Sequence, residues 1–156
     1  MATPPGTNVR GFLTDDEGEL LSALASEAGN LGPVLEIGSW CGRSTIWLAQ
    51  GAKFAGTVVL ALDHHRGSEE HQPGEMFFDA DLVDGEGRVD TLREFRRNIA
   101  QAGIEDTVIP IVAGTQQANA ILPHTLGMVF IDGGHSLDAA LTDWRSVGHR
   151  VLPGGI

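Results

Sequence analysis

The sequence predicts an α/β fold of the doubly wound, Rossmann-like class, and three observations carry that prediction. Four short apolar runs alternate with segments of helical periodicity, the pattern of parallel strands joined by crossover helices. Runs such as Val58-Val59-Leu60-Ala61-Leu62 are continuously apolar, as strands covered on both faces are. The first run passes through Gly38 and Gly42 straight into a helix-forming stretch. That turn brings backbone N–H groups and a helix N-terminus to one crevice.

Taken in order, residues 1–13 read as a flexible N-terminal tail and 14–156 as one core domain. Thr14 and Glu17 have capping-box spacing, and Leu20, Leu21, Leu24 and Ala28 follow at helical intervals up to Gly29. Pro33 to Ile37 is the first strand, Ser44 to about Gln50 the first crossover helix, and Thr57 to Leu62 the second strand, ending in Asp63. Residues 64–89 show no periodicity, whereas βα loops run to only about 2–6 residues. This insertion, with its histidines, its acids and the trio Met76-Phe77-Phe78, is expected to be a lid over a substrate.

Asp90 caps an amphipathic helix on which Leu92, Phe95, Ile99 and Ala102 form the buried stripe. Arg93, Arg96 and Arg97 form its solvated face. Val108 to Val112 is a third strand placed at a sheet edge by Pro110, which cannot donate to a ladder. A weakly specified segment, 115–122, precedes a fourth strand, Met128 to Ile131, ending in Asp132. Ser136 then caps a helix with Leu137, Leu141, Trp144 and Val147 on its apolar face, closed by Pro153-Gly154-Gly155. Right-handed crossovers give the strand order 3-2-1-4. The fourth strand carries nothing to protect an open edge, so a further strand is expected beside it, with Ile156 as its first residue. On this reading the chain is a shortened version of a longer protein lacking C-terminal strands, and a homo-oligomer is an alternative way to cover the edge.

Composition narrows the function. A net charge of −11 repels polyphosphate, which argues against nucleic acid as a partner. No apolar stretch reaches the ~20 residues that span a bilayer, and the N-terminus lacks a signal-peptide pattern. The single cysteine, Cys41, fits a reducing cytoplasm and reads as a packed thiol. Trp40, Trp47 and Trp144 read as packing residues. The glycine loop has Trp40 where a dinucleotide fingerprint needs glycine, and the acid Glu36 at the strand tip would repel a pyrophosphate but could hold an ammonium group. An amino-acid-bearing nucleoside suits it better than NAD.

The stretch LEIGSWCGRST resembles motif I of the class I S-adenosylmethionine-dependent methyltransferases. ALDHH is similar to the end of their second strand, and FIDGGHS followed by LPGG to their fourth-strand and pre-fifth-strand segments. The likeness is to the small-molecule O-methyltransferase branch that carries D-G-x-H-S/T after strand four. It implies transfer of a methyl group from S-adenosylmethionine to a small-molecule acceptor. Carried over by position, Glu36 would meet the methionine ammonium, and Gly38, Ser39 and Gly42 the methionyl and ribose portions. Asp63 would take the ribose hydroxyls, His64 would flank the adenosine, Thr115 would lie near the adenine, and Asp132 would border the cofactor. Metal-dependent members of the branch use the acid after strand four, so the resemblance leaves Mg²⁺ on Asp132 as an option.

Asp132 and His135 form the candidate catalytic pair. His135 follows a Gly-Gly turn at a helix N-terminus, whose positive end disfavours imidazolium and leaves a ring able to accept a proton. Two other functions compete: an NAD-dependent oxidoreductase on the same architecture, and a non-catalytic nucleoside-binding or assembly module.

Overall fold

The computed structural model describes residue 6 and residues 8–156. Its elements are α1 (Asp15–Ala28), β1 (Val34–Ile37), α2 (Arg43–Phe54), β2 (Val59–Asp63), α3 (Leu92–Gln101), β3 (Val108–Val112), the single turn α4 (Thr115–Ala118), β4 (Met128–Ile131) and α5 (Leu137–Val147). The four strands are parallel and lie in the order β3-β2-β1-β4, which is the expected topology. Pro110 sits on the edge strand β3, opposite Ala61 of β2, where its missing N–H costs no central ladder bond.

Alternate residues of β1 and β2 face two different layers. Val34, Val59 and Ala61 pack with Ile46, Leu48 and Phe95 of the layer made by α1, α2 and α3. Leu35, Ile37, Leu60 and Leu62 pack with Ala118, Leu122, Leu126 and Val147 on the other side. The continuous apolar runs therefore follow from burial on both faces. The capping box is formed as expected: Thr14 Oγ1 accepts from the Glu17 amide and Glu17 Oε2 accepts from the Thr14 amide. Next to it, Gly18 lets α1 lie directly on the buried indole of Trp47, since a Cβ there would fall 2.3 Å from that ring.

Several expectations change. Residues 8–13 do not behave as a loose tail. The Arg43 guanidinium donates to the carbonyls of Gly6, Val9 and Leu13 and pairs with Asp15, and Val9 and Leu13 pack on the core. The remainder of the expected tail, residues 1–5 and 7, lies outside the described residues. The final helix stops at Val147, where the Gly148 amide bonds back to the Trp144 carbonyl, well before Pro153. Its apolar stripe is mostly in solvent: Leu137 is 74% and Trp144 53% exposed, and Val147 alone is buried, because the helix meets the sheet mainly through its C-terminal end. The outer edge of β4 carries the end of the chain. Ile156 donates to the Gly127 carbonyl at 3.0 Å and accepts from the Val129 amide at 2.9 Å, the bonding pattern of a parallel neighbour. Among the described residues no helix is long and apolar enough to cross a membrane.

Candidate functional site

The C-terminal ends of all four strands open into one cavity of about 490 Å³, within the range of small-molecule sites. Ile37 and Gly38 of the β1 end, Asp63 and His64 of the β2 end, and Asp132 to His135 after β4 line it, with Ala113 to Thr115 after β3. This is the crevice of a doubly wound sheet where strand order reverses, here between β1 and β4.

Gly38 makes that crossing tight. It has φ of 88°, and a Cβ on it would lie 2.3 Å from the Asp132 carbonyl oxygen. The loop then turns through Trp40, itself at φ of 42°, to Gly42 at φ of 91°, the N-cap of α2. Asp63 holds this loop in place. One carboxylate oxygen accepts from the Trp40 amide at 2.8 Å, and the other accepts from the His65 amide at 2.7 Å. His65 is buried at φ of 59°, with Nδ1 2.8 Å from Thr91 Oγ1, and burial lowers its basicity. The Thr91 amide also donates to the His65 carbonyl, so the two ends of the 64–89 insertion are pinned together.

The insertion is an ordered loop with two single 3₁₀ turns, at 69–71 and 80–82, and an antiparallel bridge between Val83 and Val89. Its apolar trio does not act as a unit: Met76 points to solvent, whereas Phe77 joins an aromatic cluster. In that cluster Phe12 stacks on Trp40 at 5.9 Å, Phe77 meets Phe12 edge-on at 5.2 Å, and His71 lies against Trp40 at 5.6 Å. A second cavity of about 690 Å³ opens beneath these rings, between α1 and the glycine loop. Gly38, Trp40, Glu70, His71, Asp132 and His135 belong to the walls of both cavities.

The sequence-derived candidates divide accordingly. Asp63, His64 and Thr115 line the first cavity, Ser39 the second, and Gly38, Asp132 and His135 both. Glu36 and Gly42 line neither. Gly42 faces Phe95 and Ile99. Glu36 is fully buried, with Ser44 Oγ donating to one oxygen at 2.5 Å and Thr45 Oγ1 to the other. It thus ties the end of β1 to the first turn of α2. Ser39 Oγ and Trp40 Nε1 are buried with no partner among the described residues.

Burial pushes the Glu36 carboxyl up to about 8, against the lowering pull of the two hydroxyls. An acid whose folded-state pKa is raised binds a proton in the native state that the unfolded chain has released. Its contribution to stability is therefore lost as pH rises from about 4.5 to about 8. Glu36→Gln should remove that slope, so the stability difference between variant and wild type should change by about 1.4 kcal/mol per pH unit in this range. Thermal melts from pH 5 to 9 check this; parallel curves for the two proteins would contradict it.

Burial also raises the Asp132 carboxyl, opposed by His135. His135 Nδ1 lies 3.1 Å from Glu70 Oε1, an ion-pair contact across the cavity mouth when the ring is charged. A carboxylate can only accept, so in the neutral ring the proton sits on Nδ1 and the Nε2 lone pair is left free. Ser68 Oγ donates to Glu70 Oε1 at 3.2 Å and touches His71 Nδ1 at 2.7 Å. Sequence reading placed Glu70 and His71 in the insertion without a role, and it read Trp40 as packing. The unusual length of the insertion was the available signal. Among the described residues no group of three or more His, Cys, Asp or Glu side chains is placed to hold a metal ion.

Residues 35–156 match a family described as Methyltransferase domain. The chain is also similar to solved structures. An O-methyltransferase from Bacillus cereus in complex with SAH shares 26% identity, with a TM-score of 0.62, over 92% of this chain and 55% of that one. The O-methyltransferase TomG from Streptomyces achromogenes, involved in tomaymycin synthesis and in complex with SAM, shares 19% identity, a TM-score of 0.65, and 92% and 54% coverage. The O-methyltransferase NovP shares 19% identity, a TM-score of 0.67, and 88% and 61% coverage. The two at 19% identity share the fold. The chain spans little more than half the length of these proteins.

Proposed function

The chain belongs to the methyltransferase domain family, and from that premise we propose that it transfers a methyl group from S-adenosylmethionine to a hydroxyl oxygen of a small molecule. The observation that carries this reading is the pair of cavities with a shared wall at Asp132 and His135. One cavity spans the strand ends and suits a nucleoside; the other adjoins it and suits an acceptor.

The residues present fit such a cofactor. Gly38 allows close approach at the β1 end, Asp63 presents a carboxylate at the β2 end, and Ser39 offers a buried hydroxyl without a partner among the described residues. Asp63 would take the ribose hydroxyls, with His64 and Thr115 along the nucleoside. Ser39 and the backbone at Gly38 would meet the methionyl portion where it reaches the junction of the two cavities, since Gly38 lines both and Ser39 the second. Glu36 acts through Ser44 and Thr45, fixing the helix N-terminus that borders the site. When bound, the sulfonium supplies the methyl group: its C–S bond breaks with the electron pair passing to sulfur, while the acceptor oxygen forms the new C–O bond. This chain's part is to align the acceptor and remove the hydroxyl proton, which His135 Nε2 accepts. Glu70 is the positioning residue that fixes the ring. Asp132 stands at the strand end, and among the described residues no group of three or more metal-ligating side chains includes it.

His135→Ala should lower kcat about 10²-fold, with little change in KM for S-adenosylmethionine. Glu70→Gln should give a smaller loss in kcat, recovered in part by Glu70→Asp. Incubation with methyl-labelled S-adenosylmethionine and a panel of hydroxylated small molecules tests the reading itself. Label in an ether product supports it; cofactor binding with no turnover on any acceptor favours the binding-module alternative.

A further inference from the structure

Part of the wall of the second cavity comes from residues that the family match does not include. Phe12, Leu13, Glu17 and Leu20 come from the N-terminal segment and α1, upstream of the matched region 35–156. This cavity therefore joins residues from inside and outside the matched region. We propose that it is the acceptor subsite and that it takes a planar aryl group bearing no negative charge, an inference that rests on the methyltransferase reading above.

Shape comes first. Phe12, Trp40 and Phe77 present ring surfaces to the same space, the first two nearly parallel at 16° and the third edge-on at 67°. Phe12 is 71% exposed, Leu20 58% and Phe77 39%, although all three line a concave site. Covering such apolar surface favours binding, and a flat ring slotted among aromatic side chains gains stacking as well.

Charge then sets the limit. Glu17, Glu70 and Asp132 put three carboxylates into the wall; His135 lies against Glu70, and His71 is the other histidine there. The guanidiniums of Arg10 and Arg43 in the same wall are turned to other partners: Arg10 pairs with Asp79 and Asp81, and Arg43 with Asp15 and three backbone carbonyls. Glu17 is held ionised by its bonds to Thr14. An anionic acceptor entering here would meet carboxylates while both guanidiniums are engaged elsewhere; a neutral or cationic one would meet no such repulsion.

Three phenols of similar size separate these cases: 4-ethylphenol, tyramine and 3-(4-hydroxyphenyl)propanoate, titrated into the full chain at pH 7 with and without saturating S-adenosylhomocysteine. The neutral and cationic phenols should bind at least about tenfold more tightly than the propanoate. Phe12→Ala, at an exposed side chain with no bearing on the core, should weaken 4-ethylphenol about tenfold and leave S-adenosylhomocysteine affinity unchanged. Glu17→Gln, which keeps the capping geometry, should recover part of the propanoate's binding. Propanoate binding as tight as that of the neutral phenol, a Phe12→Ala variant that binds 4-ethylphenol unchanged, or no saturable binding of any phenol would overturn the proposal. Failure of S-adenosylhomocysteine to bind would overturn the cofactor reading instead, and the titrations without it would still report on the aryl subsite.

Discussion

A Gly38→Ala variant should melt roughly 10 °C below the wild type and lose measurable binding of S-adenosylhomocysteine. The added Cβ would stand 2.3 Å from the Asp132 carbonyl oxygen, 2.6 Å from its carbon and 2.7 Å from the Gly133 amide nitrogen. All three are backbone atoms, so relief requires β1 and β4 to part at their C-terminal ends. The bond from the Asp132 amide to the Ile37 carbonyl, 2.8 Å long, closes the sheet at that level. The positive φ of 88° adds strain, bringing the expected cost to about 3 kcal/mol. Gly56→Ala is the control, because Gly56 has φ of 71° but a Cβ added there would meet nothing within 4 Å. It should cost only about 1 kcal/mol from the backbone conformation and leave binding intact. Equal losses in the two variants would show that the close strand crossing contributes nothing.

The second large effect is at Asp63. Asp63→Ala should weaken S-adenosylhomocysteine at least about 100-fold, because charge-assisted hydrogen bonds are worth about 1.5–3 kcal/mol each and the ribose offers two hydroxyls. It also removes the acceptor from the Trp40 and His65 amides, both on residues with positive φ. The glycine loop and the base of the insertion then lose their common anchor. Calorimetric titration measures the affinity, and circular dichroism shows whether the fold survives. A variant that stays folded and binds within about threefold of the wild type would remove Asp63 from the site.

The strand order was legible because two kinds of local signal agreed. Continuous apolar runs place strands between two layers, and Pro110 marks the one strand that must sit at an edge. The strand-end residues Asp63, His64, Thr115 and Asp132 follow from topology, since every parallel strand delivers its C-terminal end to the same crevice. Which way a strand-end side chain points is harder to read. Glu36 shares a face with Val34, towards α2, and so meets Ser44 and Thr45 rather than the cavity. Glu70 and His71 escaped assignment because a loop without periodicity carries no local signal of what it will touch. Their places depend on contacts such as Arg10 with Asp81 and His65 with Thr91. The Phe12 wall depends on Arg43 gripping a segment about thirty residues upstream, a long-range bond that a capping pattern cannot foretell. On α5 the helical stripe was real, but periodicity does not say how much of a stripe the sheet will cover.

Calorimetric titration of the wild-type chain with S-adenosylhomocysteine and, separately, with NADH tests the central claim most directly, that the crevice over the four strand ends holds a sulfonium nucleoside. Saturable one-to-one binding of S-adenosylhomocysteine and none of NADH is the predicted result. Saturable binding of NADH with no response to S-adenosylhomocysteine would contradict the account.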